Sequence, residues 1–239
     1  MAKPNDYDRY YLNQDLRKEP KESFKFIAST IKNFTETFKN PNIGDIGCAS
    51  GELLMYLKHC YPDANYFGFD IDELLLEKAS KELPYAKFAL IDITEKNTLP
   101  SVKFDLVFLN GVIGYYDNIN SWAVNLVEML SKEGRAYVFS TFNPENVDVL
   151  IRLKNPTIES SEYMTFGNIF SRHSIEKELK KLNANVEFHP FEIDIDILKN
   201  ENDPIRSWTF KDESGKRITK NGAQIIQNYY LLEISRNNI

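Results

Sequence analysis

Between residues 43 and 141, short apolar runs alternate with amphipathic stretches, and this alternation restricts the chain more than any other feature. The runs 43–46, 66–69 and 87–91 read as strands, and 104–109, continuously apolar apart from Asp105, reads as a buried strand. Helical spacing covers 51–61, 72–83 (stopped by Pro84) and 119–130, with Glu133-Gly134 ending the last of these before a fifth strand at 136–141. Strands separated by helices cannot pair as hairpins, so the pattern predicts a parallel sheet with helices on both faces.

The flanks are less regular. Residues 1–18 read as an irregular arm. Phe24, Ile27, Ile31, Phe34 and Phe38 then recur at steps of three and four, which is one helical face bounded by Pro20 and Pro41. Beyond the fifth strand, Asn143 stands as a possible helix cap before Pro144. A helix is expected at 174–182, a half-exposed strand at 186–197 and a final strand at 229–234. The segments 207–210 and 217–219 flank Asp212-Glu213-Ser214-Gly215 and read as a small C-terminal hairpin insertion. No internal repeat is visible. The reading is one domain over 1–239: arm and first helix at 1–40, core at 41–142, and substrate-side elements with the last strands at 143–239.

Composition narrows the function classes. Hydrophobic residues make up 42% of the 239, enough for a full core. With 29 Lys and Arg against 35 Asp and Glu, the net charge is −6. There is no long basic stripe; the nearest to one are Lys180-Lys181 and Lys216-Arg217, too little for a polyanion footprint, so bulk nucleic acid is a disfavoured partner. Cys48 and Cys60 match no zinc or redox spacing, and no metal site is expected. The N-terminus lacks an apolar signal region and no apolar run approaches a membrane span, so the expectation is a soluble cytoplasmic protein. Oligomeric state is left open.

The segment most able to carry chemistry is Asp45-Ile46-Gly47-Cys48-Ala49-Ser50-Gly51, between the first strand and its helix. Glycines there allow a sharp turn and close ligand approach, and the helix start presents unpaired N–H groups. Such turns also occur in many α/β proteins without a ligand. Asp70 ends the second strand, 19 positions after Gly51, with Ile71 beside it. A carboxylate there can accept from both ribose hydroxyls of an adenosine. Ile91-Asp92-Ile93 follows at the third strand tip, where Asp92 either accepts from an adenine amino group or serves as a loop cap.

This order resembles the class I S-adenosylmethionine (SAM)-dependent methyltransferases: a strand, Asp-x-Gly-x-x-x-Gly, a strand ending in Asp, then x-Asp after strand three. Phe104-Asp105-Leu106-Val107-Phe108-Leu109-Asn110 matches that family's fourth strand, and Gly134-Arg135-Ala136-Tyr137-Val138 its fifth. The resemblance covers about 40–142 and implies a Rossmann-like, seven-stranded, mostly parallel sheet with an antiparallel last strand. It implies SAM as cofactor. Asp45 and Gly47 would line the methionine end, Asp70 would hold the ribose, Asp92 and Ile93 would frame the adenine, and Asn110 and Gly111 would border the sulfonium; Cys48, Ala49, Gly51 and Ile71 complete the expected cofactor-binding set. Gly44 departs from the family, which has a larger apolar residue there. An NAD-type dehydrogenase is the enzymatic competitor, but its G-x-G-x-x-G loop is absent: Ala49 replaces the middle glycine and Asp45 precedes the first. A non-catalytic SAM-binding regulatory module is the other alternative.

The resemblance puts a small-molecule acceptor beneath the arm and the loops after strands four and five. Candidates are Tyr10, Tyr11, Arg17, Tyr115, Asn143 and Arg172. Each tyrosine either lines the pocket or packs the arm, and each arginine either binds an anion or is solvated. The 203–217 segment resembles the tail of methyltransferases of surface-polysaccharide biosynthesis, which implies a sugar, sugar nucleotide or phosphorylated acceptor. Among the three histidines, His173 is the candidate general base for a hydroxyl acceptor; the alternative is that it only begins the next helix, capped by Ser171 or Ser174.

Overall fold

A computed structural model describes residues 11–12, 19–154, 162–201 and 205–237. Five strands and four helices alternate up to residue 143: α1 (Glu22–Thr35), β1 (Asn42–Ile46), α2 (Glu52–Cys60), β2 (Asn65–Asp70), α3 (Glu73–Glu82), β3 (Lys87–Leu90), β4 (Phe104–Asn110), α4 (Asn120–Met129) and β5 (Leu130–Asn143). Two short strands, β6 (Arg152–Leu153) and β7 (Met164–Thr165), pair with each other. Then come β8 (Phe170–Ser171), α5 (Arg172–Lys181), β9 (Ala184–Phe191), the hairpin β10 (Trp208–Lys211) and β11 (Arg217–Lys220), and β12 (Tyr229–Arg236).

The main sheet runs β3-β2-β1-β4-β5-β12-β9, with β8 attached to β5. Strands β1 to β5 are parallel, and β12 inserts antiparallel between β5 and β9. The fold class read from the sequence is the one observed. Alternation along β4 shows why the sheet is covered twice. Leu106 and Phe108 pack toward α1 and α2, meeting Ile27, Ile31, Leu54 and Leu57. Val107 and Leu109 pack toward α4 and α5, meeting Trp122, Leu126, Ile175 and Leu179. Successive strand side chains point to opposite faces, so a continuous apolar run is what a doubly covered strand requires. Among the described residues no helix is long and apolar enough to cross a membrane.

Three local expectations are corrected. The stretch 130–135 is the start of β5 rather than a helix end and turn, because Leu130 already pairs with Phe104. The register slips between Phe104 and Leu106, and Gly134 lies at that irregularity. A Cβ on Gly134 would come within 2.4 Å of the Phe104 carbonyl oxygen, so the close approach needs glycine. Asn143 caps no helix: its Oδ1 accepts from Glu145 N at 3.1 Å and its Nδ2 donates to Val147 O at 2.8 Å, folding the chain into a loop. The strand expected at 186–197 ends at Phe191, where pairing with β12 stops. Beyond it the chain serves the hairpin, with Ile197 and Thr209 bonded to each other and Asp196 paired with Arg217 at 2.8 Å. Gly44 is explained by Phe104, whose ring would lie 3.1 Å from a Cβ there. That ring in turn packs edge-on against Phe67 and Phe69, so the volume missing from β1 is supplied by β4.

Candidate active site

β1 has β2 on one side and β4 on the other, so the chain's crossovers leave in opposite directions from its carboxyl end. Such a switch point opens a crevice between the loops, where α/β folds bind ligands. Here a cavity of about 300 Å³ occupies it.

The loop after β1 is shaped by contacts with β2. Gly47 N and Cys48 N both donate to Phe69 O, at 2.7 and 2.9 Å. Gly47 has φ +74° and passes so near Val112 that a Cβ would sit 2.4 Å from its Cγ2. Ala49 also has positive φ, +47°, a conformation costly to a residue with a Cβ. It is held there by Asp70, whose Oδ2 accepts from Ala49 N at 2.8 Å. The other oxygen of Asp70 accepts from Asp72 N at 3.0 Å, and Asp72 caps α3 through Leu74 N. Asp70 is therefore part of the loop's framework as well as of the wall.

The wall is electrostatically one-sided. Asp45 is 2% exposed and its Oδ1 has no hydrogen-bond partner. Burial and then the charge of Asp70 push its carboxyl up to about 7, with Lys21 pulling the other way. Burial also raises Asp70, against the pull of the backbone N–H groups of Ala49, Asp72 and Ile71. The Cys48 thiol and the Tyr116 phenol are raised by burial first and by neighbouring carboxylates second. Lys21 on the wall lies 2.7 Å from Glu52, with its ammonium 5.2 Å from the Tyr11 ring and 5.0 Å from that of Phe24. Lys78 donates to the carbonyls of Tyr11 and Leu12, which anchors Tyr11 at the cavity.

Of the residues singled out in the sequence, Asp45, Gly47, Cys48, Ala49, Asp70, Ile71, Ile93, Asn110, Gly111, Tyr11 and Tyr115 meet on this one wall. Gly51 and Asp92 are adjacent to it but not on it. Gly51 is the left-handed residue that starts α2, and Asp92 Oδ1 accepts from Thr94 N and Oγ1. Asn143 lies off the wall in the loop after β5. Arg172 is also off it, with its guanidinium over the rings of Phe188 and Tyr230 at 5.2 and 5.7 Å. His173 is exposed in the first turn of α5, a helix capped by Ser171 Oγ accepting from Ser174 N. Tyr10 and Arg17 lie outside the described residues. The wall also holds Tyr116, a neighbour of Tyr115 in the same acceptor-side loop of the sequence reading, and Lys21, Glu52 and Val112, which that reading did not assign to the cofactor or the acceptor. Glu52 carries a signal in its place right after Gly51. Lys21 carries none, because only the packing of α1 brings it there.

Residues 45–136 match a family model described as a methyltransferase domain. The malonyl-[acyl-carrier protein] O-methyltransferase of Acetivibrio thermocellus is 28% identical over 170 residues, 70% of this chain and 52% of that protein. The trans-aconitate 2-methyltransferase of an Acidovorax species is 29% identical over 107 residues, 45% of this chain and 40% of that protein. The chain thus spans about half or less of these curated relatives. Among solved structures, an S-adenosylmethionine-dependent methyltransferase from Clostridium acetobutylicum superposes with a TM-score of 0.60 at 14% identity, covering 97% of this chain and 96% of that one. The fold is that of the Rossmann-like methyltransferases. Residues 45–136 are thus similar to a methyltransferase domain, on a fold shared with an S-adenosylmethionine-dependent methyltransferase.

Proposed function

We propose that the cavity binds SAM and that the protein transfers its methyl group to a small-molecule acceptor. The observation that carries this reading is Asp45, a buried carboxylate on the cavity wall with one oxygen unpartnered. A buried acceptor without a donor is costly, and SAM brings the ammonium and sulfonium cations that an acidic wall suits. The remaining wall fits the rest of the molecule. Asp70 keeps lone pairs for ribose hydroxyls, Ile91 and Ile93 offer an apolar slot for a base, and Asn110 and Gly111 border the reacting end. Bound there, SAM supplies an electrophilic methyl; the chain's part is to hold acceptor and donor in line and exclude water.

All three histidines are described, and none is on the wall: His59 is on α2, His173 on α5, and His189 on β9 near Glu187 and Glu233. A hydroxyl acceptor benefits from a general base, whereas a carboxylate or phosphate oxygen needs none. This supports an oxyanion acceptor. The names of the two relatives point the same way, since malonyl and trans-aconitate both carry carboxylates. A phosphorylated sugar precursor of a surface polysaccharide, the reading drawn from the 203–217 resemblance, is the second acceptor in this class. The test is mass spectrometry after incubation with SAM and a panel of carboxylates, phosphorylated metabolites and nucleotide sugars. Gain of one methyl on a carboxylate or phosphate is expected; methylation of hydroxyls alone would refute the acceptor class.

A further inference from the structure

Two loops distant in sequence meet beside the cavity. The first, 111–118 after β4, gives Gly111, Val112, Tyr115 and Tyr116 to the wall. The second, 149–169, contains the β6–β7 pair and contributes no wall residue among the described ones. Asn168, 1% exposed, joins them. Its Nδ2 donates to Tyr116 O at 2.9 Å and to Asp117 Oδ1 at 3.0 Å. Its Oδ1 accepts from Ile151 N at 2.6 Å, and its backbone N donates to Gly114 O at 2.9 Å. Both amide protons and the amide oxygen are used, so the side chain has one orientation that satisfies all three partners.

The surroundings reinforce the joint. Tyr115 meets Phe166 edge-on at 5.4 Å, and Arg152 pairs with Asp117 at 2.7 Å. Val149 and Ile169 exchange two backbone hydrogen bonds. Gly114 and Gly167 touch so closely that a Cβ on Gly114 would lie 3.1 Å from Gly167 Cα. The 111–118 loop has no sheet ladder, and ordering free chain costs on the order of 1–2 kcal/mol per residue. Asn168 provides the bonds that a ladder would otherwise supply.

We propose that Asn168 is a positioning residue that holds Tyr115 and Tyr116 against the cofactor cavity. This rests on the reading of the cavity as the SAM site. Tyr116 is on the cavity wall, so loosening its carbonyl loosens that wall.

The experiment is titration calorimetry of S-adenosylhomocysteine on the full chain, below the melting temperature of each variant. Wild type is compared with Asn168→Ala, Asn168→Asp, Gly114→Ala and the double variant Asn168→Asp/Asp117→Asn. Losing the two Nδ2 bonds should raise Kd roughly tenfold or more. Gly114→Ala keeps every bonding group of Asn168 but wedges the loops apart, so it should also weaken binding, and it carries the test if Asn168→Ala does not fold. The double variant restores the 168–117 bond with donor and acceptor exchanged and should bind more tightly than Asn168→Asp alone. Unchanged Kd in folded variants, with only Tm lowered, would overturn the positioning role while leaving the SAM site intact. No binding by wild type would overturn the SAM reading and this inference with it.

Discussion

Replacing Asp45 by asparagine tests the electrostatics of the cavity most directly. In the folded protein the carboxyl is pushed up to about 7, from an ordinary 3.8, by burial and by Asp70. Below pH about 3.8 it is protonated in both folded and unfolded chains and contributes no difference. Between there and about 7 the unfolded chain loses the proton and the folded chain keeps it, so folding stability falls as pH rises. At about 1.36 kcal/mol per pH unit over about three units, ionising Asp45 costs the ligand-free fold on the order of 4 kcal/mol by pH 8. An amide at this position cannot ionise. Asp45→Asn should therefore gain stability over wild type progressively from about pH 4 to 7 and stay level above. Binding should move the other way. A cationic ligand favours the ionised form, so wild-type SAM affinity should weaken about tenfold per unit as pH drops below about 7. The variant should bind weakly at every pH. Urea denaturation at several pH values, with calorimetry of SAM in the same buffers, reads both. Parallel stability curves for the two proteins, or the same pH dependence of SAM binding in both, would refute the assignment of that titration to Asp45.

Asp70 has two tasks, so Asp70→Ala should weaken S-adenosylhomocysteine binding by about 1.5–3 kcal/mol per charge-assisted bond lost and also lower Tm, since Ala49 N and Asp72 N lose their acceptor. Calorimetry and thermal melting read the two effects, and an unchanged Kd would remove Asp70 from the ribose site. Gly44→Ala should cost about 1–3 kcal/mol by forcing the buried Phe104 ring aside, and Phe104→Leu in the same chain should return part of it in urea denaturation. His173→Ala should keep its turnover, because removing a working base costs on the order of 10²-fold or more and His173 stands off the wall. A loss of that size would bring it back into the mechanism.

The alternation of periods along 43–141 and the residues of the loops at strand ends were legible in the sequence because both are local. A strand's face repeats every second residue, a helix's every third or fourth, and the Asp45–Gly51 loop must turn wherever strand meets helix. From these come the sheet type, the two helical layers and the loop carboxylates Asp45 and Asp70; the other wall residues expected from the sequence came with the resemblance to the methyltransferases. The boundary at 130–135 was not legible, because Glu133-Gly134 has the composition of a turn and only the pairing of Leu130 with Phe104 makes it strand. Nor was the reason for Gly44, which lies in a ring 60 residues away on β4. His173 and Arg172 were expected in the loop that follows the fifth strand, yet β8 and the capped start of α5 carry them off the cavity. Lys21, Tyr116 and Asn168 act through partners on other elements. Local spacing determines which elements form and which loops turn; which side chains share a cavity is decided by crossovers and packing, since these set the distances between segments that the sequence keeps apart.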